Sequence, residues 1–279
     1  MPSVGYLGPR GTFTQEALEA NLSGLFETLV PFSTVPEVLL AVESGQVDKG
    51  MVPIENSIEG SVNVTLDTLT FETDLIIERE VVHPIRHKLV ARDGVAREDI
   101  AGIVSHPHAT AQCRKFLAEN FSGVPVTAAN STAEAALAVS KSDEPLAAIA
   151  TELAANIYGL VMLECDLEDY AYNVTRFILA GKEQVSPSGN DKTTVICFIH
   201  ENRPGSLLEI LAIFASRQIN LTKIESRPTK KVLGEYCFFI DFEGHIEDEN
   251  VSGALGTLRG MLRELKLLGS FPAATIEGT

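Results

Sequence analysis

The chain has 279 residues, 45% hydrophobic and 22% charged, enough for two domains or one large one with a buried core. Its formal net charge is −16, of which residues 1–189 carry −14 and residues 190–279 carry −2. That acidity argues against nucleic acid and anionic membranes as partners, and it requires a local pocket to draw in any anionic substrate. No run of about 18 apolar residues is present, so no membrane span is expected. The N-terminus lacks a basic start and an apolar stretch, so no signal peptide is expected. Cys113, Cys165, Cys197 and Cys237 are widely spaced and form no CxxC pair. They read as reduced thiols of a cytoplasmic protein.

In chain order, Val4 to Leu7 reads as a short buried strand. Gly8-Pro9-Arg10-Gly11-Thr12 is a tight turn whose Thr12 can cap a helix running through Leu18. Such a turn can present backbone N–H groups to an anion, although it has neither the GxGxxG spacing nor the lysine of a phosphate loop. Thr28 to Val30 predicts a strand, and Val35 to Ser44 a helix closed by Gly45. Gly50 to Ile54 predicts a strand, then Glu55 to Ser61 a polar loop. Asn56 and Ser57 fall at a strand's C-terminal end, where open α/β sheets bind ligands, and where turn and capping chemistry uses the same residues. A helix follows to about Leu69. Leu75 to Arg92 predicts one long strand, or two broken at Pro84, crossing into a second lobe.

The second lobe repeats the alternation. Ile103-Val104 is a strand ending in Ser105-His106-Pro107-His108, and one helix carries Gln112, Cys113, Phe116 and Leu117. Val124 to Ala128 is a strand, and Ser131-Thr132-Ala133-Glu134 a capping box opening an alanine-rich helix. Leu146 to Ala150 is a strand and Thr151 to Tyr158 a helix. His106 and His108 have no carboxylate or cysteine at useful spacing, so no metal is expected. Tyr172 to Ala180 then returns to the first lobe as a strand entering a core. Period-2 alternation puts Asn173 and Thr175 on one face and Val174 and Arg176 on the other. Two such lobes joined by two crossings form a cleft suited to a small anion. The fold class expected for residues 1–181 is a two-lobed α/β domain of the periplasmic-binding-protein-like type II kind, with lobe 1 at about 1–80 and 170–181 and lobe 2 at about 81–169.

Residues 182–192 form a polar linker. Thr193 to Ile199 is a strand. Leu207, Ile210, Leu211 and Phe214 recur at helical spacing, as do Val251, Leu255, Leu258 and Leu262. With strands at Leu221 to Arg227, Tyr236 to Phe242 and Lys266 to Phe271, residues 193–279 follow the βαββαβ order of a ferredoxin-like α+β domain. Its size of roughly 80 residues favours support from a partner subunit.

Five stretches together carry a family resemblance: Gly8-Pro9-Arg10-Gly11-Thr12-Phe13-Thr14, Asn56-Ser57-Ile58-Glu59-Gly60, Ser105-His106-Pro107 with Gln112-Cys113, Ser131-Thr132-Ala133, and Asn173-Val174-Thr175-Arg176-Phe177. Pro204-Gly205-Ser206-Leu207-Leu208 and Glu225-Ser226-Arg227-Pro228 add two more in the C-terminal part. Over essentially its whole length the chain resembles a monofunctional prephenate dehydratase with a C-terminal ACT regulatory domain. His108 stands where many members have Gln, and Gly205-Ser206-Leu207-Leu208 where the ACT motif usually reads Gly-Ala-Leu-Val. The first motif begins at Gly8, so no chorismate mutase domain is expected before it.

The resemblance implies decarboxylating dehydration of prephenate to phenylpyruvate in L-phenylalanine biosynthesis. Aromatisation drives the reaction, so no cofactor and no metal is implied. Hydroxide leaves poorly and needs a proton or a strong hydrogen bond, and the carboxylate must be held where its C–C bond can break. Thr175 inherits the catalytic role, with Asn56, Ser105 and Gln112 as neutral donors around the leaving oxygen and the carboxylates. Thr12, Ser57, Asn173 and Arg176 are implied substrate contacts. Alternation also suits Arg176 to an ion pair, with Glu55 as partner. The ACT resemblance implies phenylalanine as effector at an interface between two ACT units of a homodimer or homotetramer, touching Gly205, Ser206, Leu207, Leu208, Asn220, Glu225, Ser226 and Arg227. The alternatives left open are an arogenate dehydratase, a non-enzymatic small-anion or amino-acid sensor, and an ACT unit that only dimerises.

Overall fold

Strands and helices alternate from the first residues, and Thr12, His106, Ser131 and Thr151 each cap the helix that follows with a side-chain acceptor. The structure, a computed structural model, describes residues 2–231 and 234–274. In order the elements are β1 (Ser3–Leu7), α1 (Phe13–Leu22), β2 (Thr28–Phe32), α2 (Val35–Glu43), β3 (Lys49–Asn56), β4 (Gly60–Ser61), α3 (Asn63–Phe71), β5 (Ile76–Pro84), β6 (Lys88–Ala91), β7 (Gly102–Ser105), α4 (Pro107–Gln112), α5 (Arg114–Asn120) and β8 (Val126–Ala128). They continue as α6 (Thr132–Lys141), β9 (Leu146–Ala150), α7 (Glu152–Tyr158), β10 (Val161–Glu164), β11 (Val174–Gly181), β12 (Asp191–Phe198), α8 (Ser206–Ser216), β13 (Leu221–Pro228), β14 (Tyr236–Glu243), α9 (Glu249–Met261) and β15 (Glu264–Pro272).

Three sheets organise these elements. The first runs β2-β1-β3-β11-β5, with β4 added to β3. The second runs β10-β6-β9-β7-β8, parallel from β9 through β7 to β8 and antiparallel where β6 meets β9 and β10. In the first sheet β11, which follows the whole of the second sheet in the chain, is inserted between β3 and β5. The third sheet, β13-β14-β12-β15, is antiparallel throughout.

The chain forms two compact units, one of Met1–Val38, Met51–Val62 and Val82–Phe177, the other of Leu39–Gly50, Asn63–Val81 and Ile178–Thr279. In the first, two apolar layers cover the faces of the second sheet. Leu89, Ile103, Cys113, Leu117, Phe121 and Ile149 pack on one side. Val90, Ala135, Ala136, Val139, Ala148 and Ala155 pack on the other. Small alanines there bring α6 and α7 close to the strands. The second unit is centred on Val195, Ile210, Phe214, Ile240, Phe242, Leu255 and Leu258, with the Phe214 and Phe242 ring centroids 4.9 Å apart. Each such buried side chain contributes about 1.5–3 kcal/mol by leaving water.

Of the two alternatives for residues 75–92 the second holds: they form two strands in two different sheets, with the break after Pro84. Three local expectations change. The single helix expected through Gln112 and Leu117 is two, because Cys113 leaves helical geometry at ψ 21°. Asn56 and Gly60 pair across a turn, making a hairpin of the expected loop. β10 was not foreseen, since this short edge strand has two exposed apolar residues and no alternation to mark it.

Candidate active site

Asn173 leads into β11. Alternation turns Asn173 and Thr175 inward, at 1% and 7% exposure, and leaves Val174 and Arg176 partly exposed. Arg176 meets Glu55 at 3.9 Å, the ion pair that its outward direction suggested.

Asn56 ends β3 and sets the polarity of the site. Its Oδ1 accepts the backbone N–H groups of Ile58 (2.9 Å) and Glu59 (3.0 Å), an Asx turn that fixes which way the amide points. Its Nδ2 must then donate, and it reaches Asn173 Oδ1 at 2.8 Å, Thr175 Oγ1 at 2.9 Å and the Val174 carbonyl at 3.2 Å. Asn173 Nδ2 donates in turn to Gln112 Oε1 at 2.8 Å. Gln112, the last residue of α4, donates its Nε2 to Glu59 Oε1 at 3.3 Å. Thr175 Oγ1 therefore receives a hydrogen bond from Asn56, and among the described residues no acceptor takes its own hydrogen.

Two segments that cross between the lobes close around this group. Ile85 N–H donates to the Asn173 carbonyl, Leu167 N–H to the His87 carbonyl, and Asp169 N–H to the Gln112 carbonyl. Glu168 accepts from Arg86 at 2.7 Å and from the His87 backbone at 3.0 Å. Ser57 Oγ donates to the Tyr172 carbonyl and accepts from Val174 N–H, each at 3.0 Å. Ser57 thus stitches two segments together, and its hydrogen is already committed to a main-chain acceptor.

Among the described residues, Ser105 and Thr12 make no hydrogen bond to this cluster. Ser105 is fully buried, and its hydroxyl donates to the Ile149 carbonyl at 3.0 Å, within the second sheet. Thr12 caps α1 and gives its hydrogen to the Leu7 carbonyl at 2.8 Å, while Gln15 Oε1 takes the Gly11 N–H at 2.8 Å. That loop is built as a tight join. Gly11 sits at φ 90°, a Cβ there would come within 3.0 Å of Ala154, and Thr151 Oγ1 donates to its carbonyl at 2.7 Å. Thr12 Oγ1 and the Gly11 N–H thus each have a partner within the protein.

His87 was missed by sequence reading. It is 2% exposed, its Nε2 lies 2.9 Å from Gln112 Oε1, and its ring meets Phe13 edge-on at 5.3 Å. Burial pushes its pKa down, against smaller upward pulls from Gln112, Glu168 and Glu16. The signal available was a histidine between Arg86 and Lys88, just past the predicted strand break at Pro84, which periodicity alone does not single out.

Of the residues expected at an effector site, Gly205 stands at φ 94° before α8, and Leu208 is exposed. Ser206 lines a cavity of about 140 Å³ with Ile199, His200, Glu201, Arg203 and Met261. Leu207 packs on the core and Asn220 donates to Glu243 at 2.9 Å. Glu225 and Ser226 lie on β13. Arg227 is committed elsewhere. It bonds Asp67 at 2.7 Å and Asn63 at 2.7 Å, both on α3; burial pushes the Asp67 carboxyl up, and Lys230 at 2.8 Å together with Arg227 holds it below its ordinary range.

An α/β domain with a cluster of uncharged donors, followed by a βαββαβ unit, defines a small-molecule enzyme with an amino-acid-sensor type of appended domain. A prephenate dehydratase family model matches residues 4–185 and an ACT domain model residues 193–260. The bifunctional chorismate mutase/prephenate dehydratase of Aquifex aeolicus is 43% identical over 98% of this chain and 74% of its own length. The prephenate dehydratase of Amycolatopsis methanolica is 41% identical over 99% of this chain and 92% of its own. The Arthrobacter aurescens prephenate dehydratase crystallised with L-Phe superposes with a TM-score of 0.91, at 42% identity over 97% of this chain and 90% of that one. The chain belongs to the prephenate dehydratase family and carries its ACT regulatory domain. It is a lyase acting on prephenate.

Proposed function

We propose that Thr175 donates its hydroxyl hydrogen to the departing oxygen of prephenate. The carrying observation is the 2.9 Å bond from Asn56 Nδ2 to Thr175 Oγ1, which occupies an acceptor position and leaves the hydrogen to be given away. Bond breaking then balances simply. The C–C bond to the ring carboxylate breaks, its electron pair enters the ring, and the C–O bond breaks. Carbon dioxide leaves, and the hydroxide takes one proton, ultimately from solvent, to leave as water. A threonine hydroxyl is a weak acid, so it stabilises the developing charge and does not ionise. Asn56, Asn173 and Gln112 hold Thr175 in this orientation. Ser57 fixes the strand that carries it, and Arg176 is part of the surrounding framework through Glu55.

L-phenylalanine is the proposed effector, bound by the ACT unit, and the active form is a homodimer or homotetramer in the cytoplasm. Support comes from the ACT match and from the L-Phe complex of the Arthrobacter relative. Linkage requires the effector to bind one conformation more tightly than another. The test is turnover of prephenate and of arogenate, each with and without phenylalanine. Prephenate turnover that changes with phenylalanine supports the reading. Preference for arogenate, or indifference to millimolar phenylalanine, overturns the corresponding half.

A further inference from the structure

The amide network has one orientation only, and His87 is its far anchor. Asn56 Oδ1 is pinned by two backbone N–H groups, so its Nδ2 is the donor. Asn173 must then present Oδ1 to Asn56 and Nδ2 to Gln112. Gln112 must present Oε1 to Asn173, so the second group on that oxygen, His87 Nε2 at 2.9 Å, has to carry a hydrogen. A flip of any one amide sets two donors or two acceptors face to face. Nδ1 of the ring is left bare, and it has no partner among the described residues.

We propose that His87, as the neutral Nε2–H tautomer, is a positioning residue for the dehydration. Its hydrogen bond to Gln112 Oε1 locks the amide chain Gln112–Asn173–Asn56 whose last donor fixes the Thr175 hydroxyl. This rests on the assignment of Thr175 as donor to the leaving oxygen. Without the His87 donor, Gln112 can rotate, Asn173 loses its fixed acceptor, and the Thr175 hydrogen is no longer directed. Burial keeps the ring neutral at ordinary pH, consistent with the bare Nδ1.

The test pairs H87Q, whose longer amide can still reach Gln112 with a donor, with H87N, whose shorter one cannot. We expect kcat on prephenate to fall about 10-fold or more in H87N with KM nearly unchanged, and to recover largely in H87Q. In a Q112A background, H87N should cost little more, because His87 acts through Gln112. Equal loss in both backgrounds, or no loss in H87N, overturns the proposal. In the wild-type enzyme, 15N NMR of the ring assigned by its absence in H87Q should show hydrogen on Nε2 and none on Nδ1. The opposite tautomer also overturns it. Full activity of T175A would instead remove the underlying assignment, leaving the tautomer result standing as structural fact.

Discussion

The Thr175 hydroxyl is oriented by a chain of three side-chain amides, Asn56, Asn173 and Gln112. Among the described residues, Gln112 meets the Glu59 carboxylate on one side and the titratable ring of His87 on the other. The ring sees Glu168 from the segment before β11, Glu16 from α1, the Gln112 amide from α4 and the Phe13 edge, and burial outweighs the two carboxylates. Its folded pKa lies below the ordinary 6.5. Between that lower value and 6.5 the unfolded chain binds a proton that the folded one does not, so stability falls as pH drops through this window and is unaffected by His87 above it. Urea unfolding at about pH 7.5 and about pH 5.5 should show a larger loss for wild type than for H87Q, with an upper bound of about 1.4 kcal/mol per pH unit from this one group. Equal losses would mean that the ring titrates normally. At this scale the sequence was half legible. Alternation correctly separated Asn173 and Thr175 from Arg176, because a strand's side-chain period is fixed. The fates of Ser105, Ser57 and Thr12 were hidden, because a hydroxyl's acceptor is set by whichever carbonyl the fold brings beside it.

Among the elements, α3 shows how the C-terminal sequence reaches into its own compact unit. Lys266, on β15, donates its ammonium hydrogens to the carbonyls of Leu69 (2.8 Å), Thr70 (3.2 Å) and Thr73 (2.5 Å), at and just past the helix end. A cation at a helix C-terminus satisfies orphan carbonyls and complements the helix dipole. Nearer the helix start, Arg227 grips Asp67 and Asn63. Lys266→Met keeps the side-chain stem and removes the charge, so it should cost about 1.5–3 kcal/mol in chemical denaturation. A change below about 0.5 kcal/mol would mean that water serves these carbonyls equally well. Helix starts were legible in sequence because capping is local: Thr12, Ser131 and Thr151 all accept from the expected backbone N–H. The α4–α5 break and β10 were not, because neither a bend at Cys113 nor an exposed edge strand disturbs apolar periodicity.

For the whole molecule, the order of strands and helices and the βαββαβ unit could be read from periodicity and turns. The grouping of compact units could not. Residues 39–50 and 63–81 belong with the C-terminal unit, through long-range contacts such as Lys192 with Glu80 at 2.8 Å. Glu80 is buried at that pair, so the C-terminal sequence neutralises a carboxylate held more than one hundred residues earlier in the chain. Removing residues after 182 would take away the Lys192 and Ala274 partners of buried Glu80 together with the ACT unit. Point substitutions in the ACT unit are therefore the cleaner probe of phenylalanine response.

The most direct measurement is the steady-state rate of Thr175→Val on prephenate, beside Thr175→Ser. Valine keeps the shape and deletes the donor, so kcat should fall by about 10²–10³-fold in a protein that melts near the wild type, with serine restoring most of it. A folded valine variant turning over prephenate within a few-fold of wild type would contradict the account.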